Sequence, residues 1–256
     1  MSESIHEAAS KGFETAGDSY ERGRPEYPAT AVDFLAKTIG IGPGRKILDL
    51  GAGTGKFTKM IANLGAELHA VEPVRGMRVK FSSLLPEIQI LEGTAENIPI
   101  PDASFDAIVV AQAFHWFDGE KALPEISRVL KTGGKLGLIW NVRDETVNWM
   151  SKLTDIIDPH EKGAPRYKSG SWKKAFESTL EFSALTEKQF RYLQKGDHET
   201  VVDRVASISF ISALESKQRA CVLDQVRTLL ATHPELKNRR EIEIPYRTDV
   251  YICSKK

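Results

Sequence analysis

The chain has 256 residues, enough for one large α/β domain with a full core, and its 35 basic residues balance 35 acidic ones to a formal net charge of zero. That balance removes the basic footprint of a general nucleic-acid binder. Two cysteines, Cys221 and Cys253, with no Cys-x-x-Cys spacing and no Cys/His cluster, argue against a disulfide scaffold and against a metal centre.

Met1 to Ser10 lacks the positive and apolar segments of a secretory signal, and no run approaches the roughly 18 apolar residues of a membrane span, so a cytoplasmic chain with no membrane partner is expected. Residues 1–28 are polar and end in the crowded group Tyr20, Arg22, Arg24, Pro25, Glu26, Tyr27 and Pro28. Proline after Arg24 and after Tyr27 favours extended or turning backbone there, as in an arm laid over a core. Val32, Leu35, Ala36 and Ile39 predict a helix over 29–40, broken by the glycines and proline of 40–44.

Ile47, Leu48 and Leu50 form an apolar run of strand length, and glycines at 51, 53 and 55 then turn the chain. Phe57, Met60, Ile61 and Leu64 recur at helical spacing, with Gly65 placed to cap them. A strand, a glycine loop and a helix N-terminus together present backbone N–H groups to a ligand. The spacing excludes two ligand loops. A phosphate loop fails at Leu50 and Phe57, and a dinucleotide loop fails because its third glycine falls on Lys56. Glu67 to Val71 reads as a second strand ending at Glu72, about 20 residues past the loop, where an acidic side chain accepts hydrogen bonds from ribose hydroxyls.

Ile88 to Leu91 reads as a third strand and Ala107 to Val110, after Phe105-Asp106, as a buried fourth. The aromatic segment 113–117, with His115 and Trp116, follows at that strand's carboxyl end, where open α/β sheets bind ligands. Ala122, Leu123, Ile126, Val129 and Leu130 mark a helix face that Gly133-Gly134 would cap, and Leu136 to Ile139 lead a fifth strand to Trp140-Asn141. Strand and helix in alternation predict a parallel, doubly wound sheet. Beyond Asn141, helices are expected over 146–157, 199–213 and 217–231, a strand over 189–194, and edge β-structure over 242–253 around Pro245.

Acidic-x-Gly-x-Gly-x-Gly from Asp49, together with Glu72 and the Arg-Val-Leu-Lys-x-Gly-Gly of 128–134, resembles the class I S-adenosylmethionine (SAM)-dependent methyltransferases, methyltransferase type 11 group. The Tyr-x-x-x-Arg-Pro-x-Tyr-Pro arm, Ala-Phe-His-Trp-Phe and Trp140-Asn141-x-Arg143 resemble the trans-aconitate methyltransferase-like proteins within it. The resemblance implies a seven-stranded, mostly parallel Rossmann-like sheet with an N-terminal lid arm and a helical C-terminal insertion. It divides a single domain into an arm and helix over 1–40, a SAM core over 41–145, and acceptor-pocket helices with the last strands over 146–256. It implies SAM as cofactor and S-adenosylhomocysteine as product. The implied cofactor contacts are Tyr20 and Arg24 at the methionine carboxylate, Asp49, Gly51, Ala52 and Gly53 in the loop, Glu72 and Pro73 at the ribose, and Gln112 and Ala113 beyond the fourth strand. Thr94 stands where the family often has Asp, which leaves Ala95 and Glu96 to serve the adenine.

Methyl transfer from a sulfonium is an in-line displacement that needs alignment and exclusion of water, not a covalent nucleophile. A carboxylate acceptor is already ionised at neutral pH and needs only cationic positioning, for which Arg22, Arg143 and Arg247 are the candidates. A phenol, amine or carbon acid needs a base, for which His115 is the candidate and Tyr246 the second. Trp116, Trp140 and Asn141 complete the expected acceptor side. The expected activity is methylation of a small molecule, with methylation of a macromolecule and cofactor binding without catalysis as the alternatives. Neither the acceptor atom nor the oligomeric state follows from the residues.

Overall fold

The computed structural model describes residues 23–161, 163 and 165–256. Tyr20 and Arg22 lie outside them. Seven strands form one sheet: β1 (Lys46–Leu50), β2 (Glu67–Val71), β3 (Gln89–Leu91), β4 (Phe105–Ala111), β5 (Leu130–Arg143), β6 (Thr186–Gly196) and β7 (Ile242–Ser254), in the order β3-β2-β1-β4-β5-β7-β6. β3 through β5 are parallel neighbours. The hydrogen bonds Asp144 N–H to Pro245 O and Lys255 N–H to Gly134 O pair early residues of one strand with late residues of the other, so β7 runs antiparallel to β5 and the sheet is mixed.

The described helices are α1 (Ala29–Ile39), α2 (Lys56–Ile61), α3 (Arg75–Leu84), α4 (Gly119–Val129), α5 (Asn148–Ile157), α6 (Lys174–Ser178), α7 (His198–Ala206), α8 (Ser209–Ser212) and α9 (Ser216–Thr232). None of them is long and apolar enough to cross a membrane. Three expectations are corrected. The end of the chain is not an edge: β7 lies between β5 and β6, and its residues are buried on both faces, which alternation around Pro245 concealed. Gly133 and Gly134 do not cap α4, because Leu130 is already extended and the glycines fall inside β5. The helix expected over 199–213 is two helices, since Ile208 takes an extended backbone between them. Helix α3 had no counterpart in the sequence pattern because only Met77 and Phe81 are buried along it.

The described chain divides into two compact units that are interleaved in sequence. Residues 27–141, 165–190 and 248–256 form a sheet unit; residues 23–26, 142–164 and 191–247 form a helical unit. In the sheet unit, Val32, Leu35 and Ile39 of α1 share a core with Ile47, Phe57, Ile61, Val109 and Ile139. Each such side chain, fully buried, is worth about 1.5–3 kcal/mol over exposure, which fixes α1 to the face its helical period presents. In the helical unit, α9 packs against both α5 and α7, burying Val222, Val226 and Leu230 with Met150, Leu153, Val201 and Val205.

Candidate functional site

The glycine loop follows β1 at the carboxyl edge of the sheet unit. Gly51, Gly53 and Gly55 take left-handed φ of 72°, 58° and 84°. A Cβ at Gly51 would stand 2.9 Å from the Ala113 Cβ and 3.3 Å from the Phe117 ring, so that position also requires absence of a side chain. The loop is tied to β2 by Gly51 N–H to Val71 O, 2.8 Å, and Ala52 N–H to Val71 O, 3.2 Å.

Glu72 closes the end of β2, 6% exposed, with one carboxylate oxygen accepting from Gly53 N–H at 3.0 Å and the other from Val74 N–H at 2.9 Å. Burial raises its carboxyl, while these two amides and the nearby Arg78 oppose that rise. Each oxygen keeps a second lone pair, so the carboxylate still seeks donors of the kind a ribose diol offers. Arg78 ties the following turn by donating to Glu72 O and Pro73 O. Asp49, one strand away, is 1% exposed; its Oδ2 accepts from the Thr58 hydroxyl at 2.6 Å, and its Oδ1 is buried without a partner. Burial first, and Glu72 in addition, push its carboxyl up to about 7, against the Thr58 hydrogen bonds. A donor-seeking carboxylate, a second buried acceptor and a glycine turn that admits backbone close to a ligand fit the demands of a ribonucleoside cofactor.

Of the other expected cofactor residues, Gln112 is the most constrained. Its φ of 60° is left-handed for a residue with a side chain, a conformation that persists where surroundings impose it. Here the imposing bonds are Gln112 N–H to Ile139 O, 2.9 Å, and Gln112 Nε2 to Asn141 O, 3.2 Å. Ala95 is buried, and Thr94 pairs with Asn97 in a short bridge. The Glu96 carboxylate accepts from Asp118 N–H at 2.8 Å, which holds the segment ahead of α4.

The aromatic segment forms a single 3₁₀ turn, Phe114–Trp116. Trp140, fully buried, donates its indole N–H to His115 Nδ1 at 3.1 Å. Nδ1 is therefore an acceptor, and the ring proton of neutral His115 resides on Nε2. Trp140 sits in a box of rings with Trp172 at 4.7 Å, Tyr167 at 5.0 Å and Tyr251 at 5.9 Å. Behind the box, the Tyr167 hydroxyl donates to fully buried Asp249 at 2.5 Å and lies 2.7 Å from the Tyr251 hydroxyl. Burial, with Asp249 beside it, raises the Tyr167 phenol, which keeps the proton in that bond. Asn141 Oδ1 accepts from the Thr248 hydroxyl at 2.6 Å. Trp140 and Asn141 are thus a wall behind His115, with their side chains turned to internal partners.

In the helical unit, Arg143 at the end of β5 donates to the Thr154 hydroxyl at 3.2 Å and lies 3.8 Å from Asp158. Tyr246 is buried and stacks with Tyr192, ring centroids 6.2 Å apart. Arg247 is exposed. Arg24 lies beside α7 and donates to Ser207 O at 3.1 Å.

Sequence patterns left Arg204 unremarked. It follows Val201 by three residues and so shares the buried side of α7, a polar residue at an apolar register position. The box members Tyr167, Trp172 and Tyr251 were likewise unmarked.

A family model described as a methyltransferase domain matches residues 48–138. An uncharacterised methyltransferase of Mycobacterium tuberculosis is 40% identical over 239 residues, covering 93% of each chain. Among solved structures, the YcgJ protein of Bacillus subtilis is similar at a TM-score of 0.59 and 20% identity, over 90% of this chain and 99% of that one. Phosphoethanolamine N-methyltransferase 2 of Haemonchus contortus, in complex with phosphomonomethylethanolamine and S-adenosylhomocysteine, is similar at a TM-score of 0.59 and 13% identity, over 99% of this chain and 60% of that one.

Proposed function

Because the chain belongs to the class I SAM-dependent methyltransferases, we propose that it binds SAM itself and transfers the methyl group to a small-molecule carboxylate by direct in-line displacement. The observation that carries the cofactor half is Glu72, held by Gly53 and Val74 N–H groups with lone pairs to spare at the end of β2. In this reading Glu72 and Pro73 take the ribose, Asp49, Gly51, Ala52 and Gly53 shape the loop, and Thr94, Ala95, Glu96, Gln112 and Ala113 border the base and the methionine. Bound SAM supplies a methyl already activated by its sulfonium.

The His115 tautomer supports a carboxylate over an acceptor that needs deprotonation. A general base must present a lone pair, yet the Trp140 indole occupies Nδ1 and places the proton on Nε2. An Nε2–H donor positions a carboxylate and removes no proton from it. His115 is thus assigned as a positioning donor on the acceptor, beside Trp116. A carboxylate is ionised at neutral pH, so alignment and a dry site suffice for its reaction.

The test has two parts. Calorimetry with S-adenosylhomocysteine examines the cofactor, and radiolabelled methyl transfer to panels of acids, phenols, amines and thiols examines the acceptor. Binding together with label in the acid panel, released as base-labile methyl ester, supports the reading. Absence of binding refutes the cofactor half, and label confined to amines or phenols refutes the carboxylate half.

A further inference from the structure

Arg204 is a cation on α7 of the helical unit, and Val201, three residues before it on the same helix, is buried. Its Nε and Nη1 are shielded from solvent and have no hydrogen-bond partner, although a guanidinium carries five donors that are costly to bury unmet. Arg24 repels the group, Tyr246 attracts it and hydrogen-bonds it, and Arg143 repels it in turn. Burial and that repulsion together lower its pKa from the ordinary arginine range. A buried guanidinium whose Nε and Nη1 are unmet, and which two further arginines repel, is an arrangement that an anion would stabilise.

The local backbone is shaped to hold the cluster together. A Cβ at Gly23 would stand 2.4 Å from Arg204 N and 2.5 Å from Asp203 C, so only glycine lets the arm lie against the α7 backbone at that point. The next residue is Arg24, whose Nη2 is anchored on Ser207 O one turn along. Arg143 is held from the other side by Thr154 and Asp158. Tyr246, which acts on Arg204, is itself held by stacking against Tyr192.

We propose that Arg204, with Arg24 and Arg143 adding positive charge, binds an oxyanion within the helical unit. The proposal goes beyond the methyltransferase reading above by giving that unit an anion site of its own. The unmet N–H groups on Nε and Nη1 suit the oxygens of a carboxylate or a phosphate equally.

The experiment titrates malonate and, separately, inorganic phosphate into the full chain saturated with S-adenosylhomocysteine, using the unaltered protein, Arg204→Gln and Arg204→Lys. The expected result is binding to the unaltered chain, weakened roughly tenfold or more in Arg204→Gln and to a smaller extent in Arg204→Lys, with S-adenosylhomocysteine affinity the same in all three. Which anion binds distinguishes a carboxylate ligand from a phosphate one. Equal anion binding in Arg204→Gln overturns the proposal, as does absence of anion binding to the unaltered chain. Loss of S-adenosylhomocysteine affinity in the variants also overturns it, by assigning the cluster to the cofactor's own carboxylate. Should Arg204→Gln fail to unfold cooperatively, Arg204→Lys decides, because it keeps the charge and loses the guanidinium N–H groups; anion binding equal to that of the unaltered chain then refutes the anchor. If the unaltered chain does not bind S-adenosylhomocysteine, the methyltransferase reading fails, separately from the anchor.

Discussion

Asp49 lies at the base of the glycine loop and should set a pH dependence that can be isolated by one substitution. The residue is 1% exposed and its carboxyl is pushed from 3.8 to about 7, first by burial and also by Glu72, with Thr58 opposing. In the unfolded chain it returns to its ordinary value. Between about pH 4 and pH 7 the folded protein therefore keeps a proton that the unfolded chain has released. Stability from this group is fully present below about pH 4 and is lost as pH rises through about 7. A pKa difference of about three, at about 1.4 kcal/mol for each, makes the whole change about 4 kcal/mol. Asp49→Asn keeps the shape and removes the titration. Urea unfolding of both proteins at steps from pH 4.5 to 8.5 should show the variant gaining on the unaltered chain as pH rises, by most of that amount, with the gain levelling off above about pH 8. Glu72, also raised by burial, is present in both proteins and largely cancels in the comparison. Parallel stability curves, with a constant offset across the range, would refute the buried-acid argument whatever the offset.

Gly51→Ala combines a left-handed φ with a 2.9 Å approach to the Ala113 Cβ, and should cost about 1–3 kcal/mol in urea unfolding while weakening S-adenosylhomocysteine binding; an unchanged unfolding midpoint counts against the close packing of loop and segment 113–117. Tyr167→Phe leaves the fully buried Asp249 carboxylate without its phenolic donor and should lose about 1–3 kcal/mol, read from the same denaturation curves. In ¹⁵N-edited spectra of the imidazoles, His115 should report the Nε2–H tautomer, and Trp140→Phe should admit the Nδ1–H form. An Nδ1–H signal in the unaltered protein would restore His115 as a candidate base.

The sequence by itself determined most of the succession of elements, helix α3 excepted, and the glycine loop. Ile47, Leu48, Leu50, the three glycines and the Phe57–Leu64 stripe are neighbours in the chain, so strand period, turn chemistry and helix period can be read there without knowing what packs on them. Glu72 was legible for a related reason, since a βαβ unit fixes the distance from loop to the end of the next strand. Tertiary structure alone decided the rest. Insertion of β7 between β5 and β6 depends on hydrogen bonds between residues about 100 apart, such as Asp144 to Pro245, and no local pattern encodes such a pairing. The left-handed Gln112 is imposed by bonds to Ile139 and Asn141, not by its own preference. The protonation pattern of His115 is set by Trp140, 25 positions away, and the unmet Nε and Nη1 of Arg204 by burial in the fold. Local propensity is a property of neighbours in the chain, whereas a side chain's charge state and remaining hydrogen-bond capacity are properties of whatever the fold brings against it.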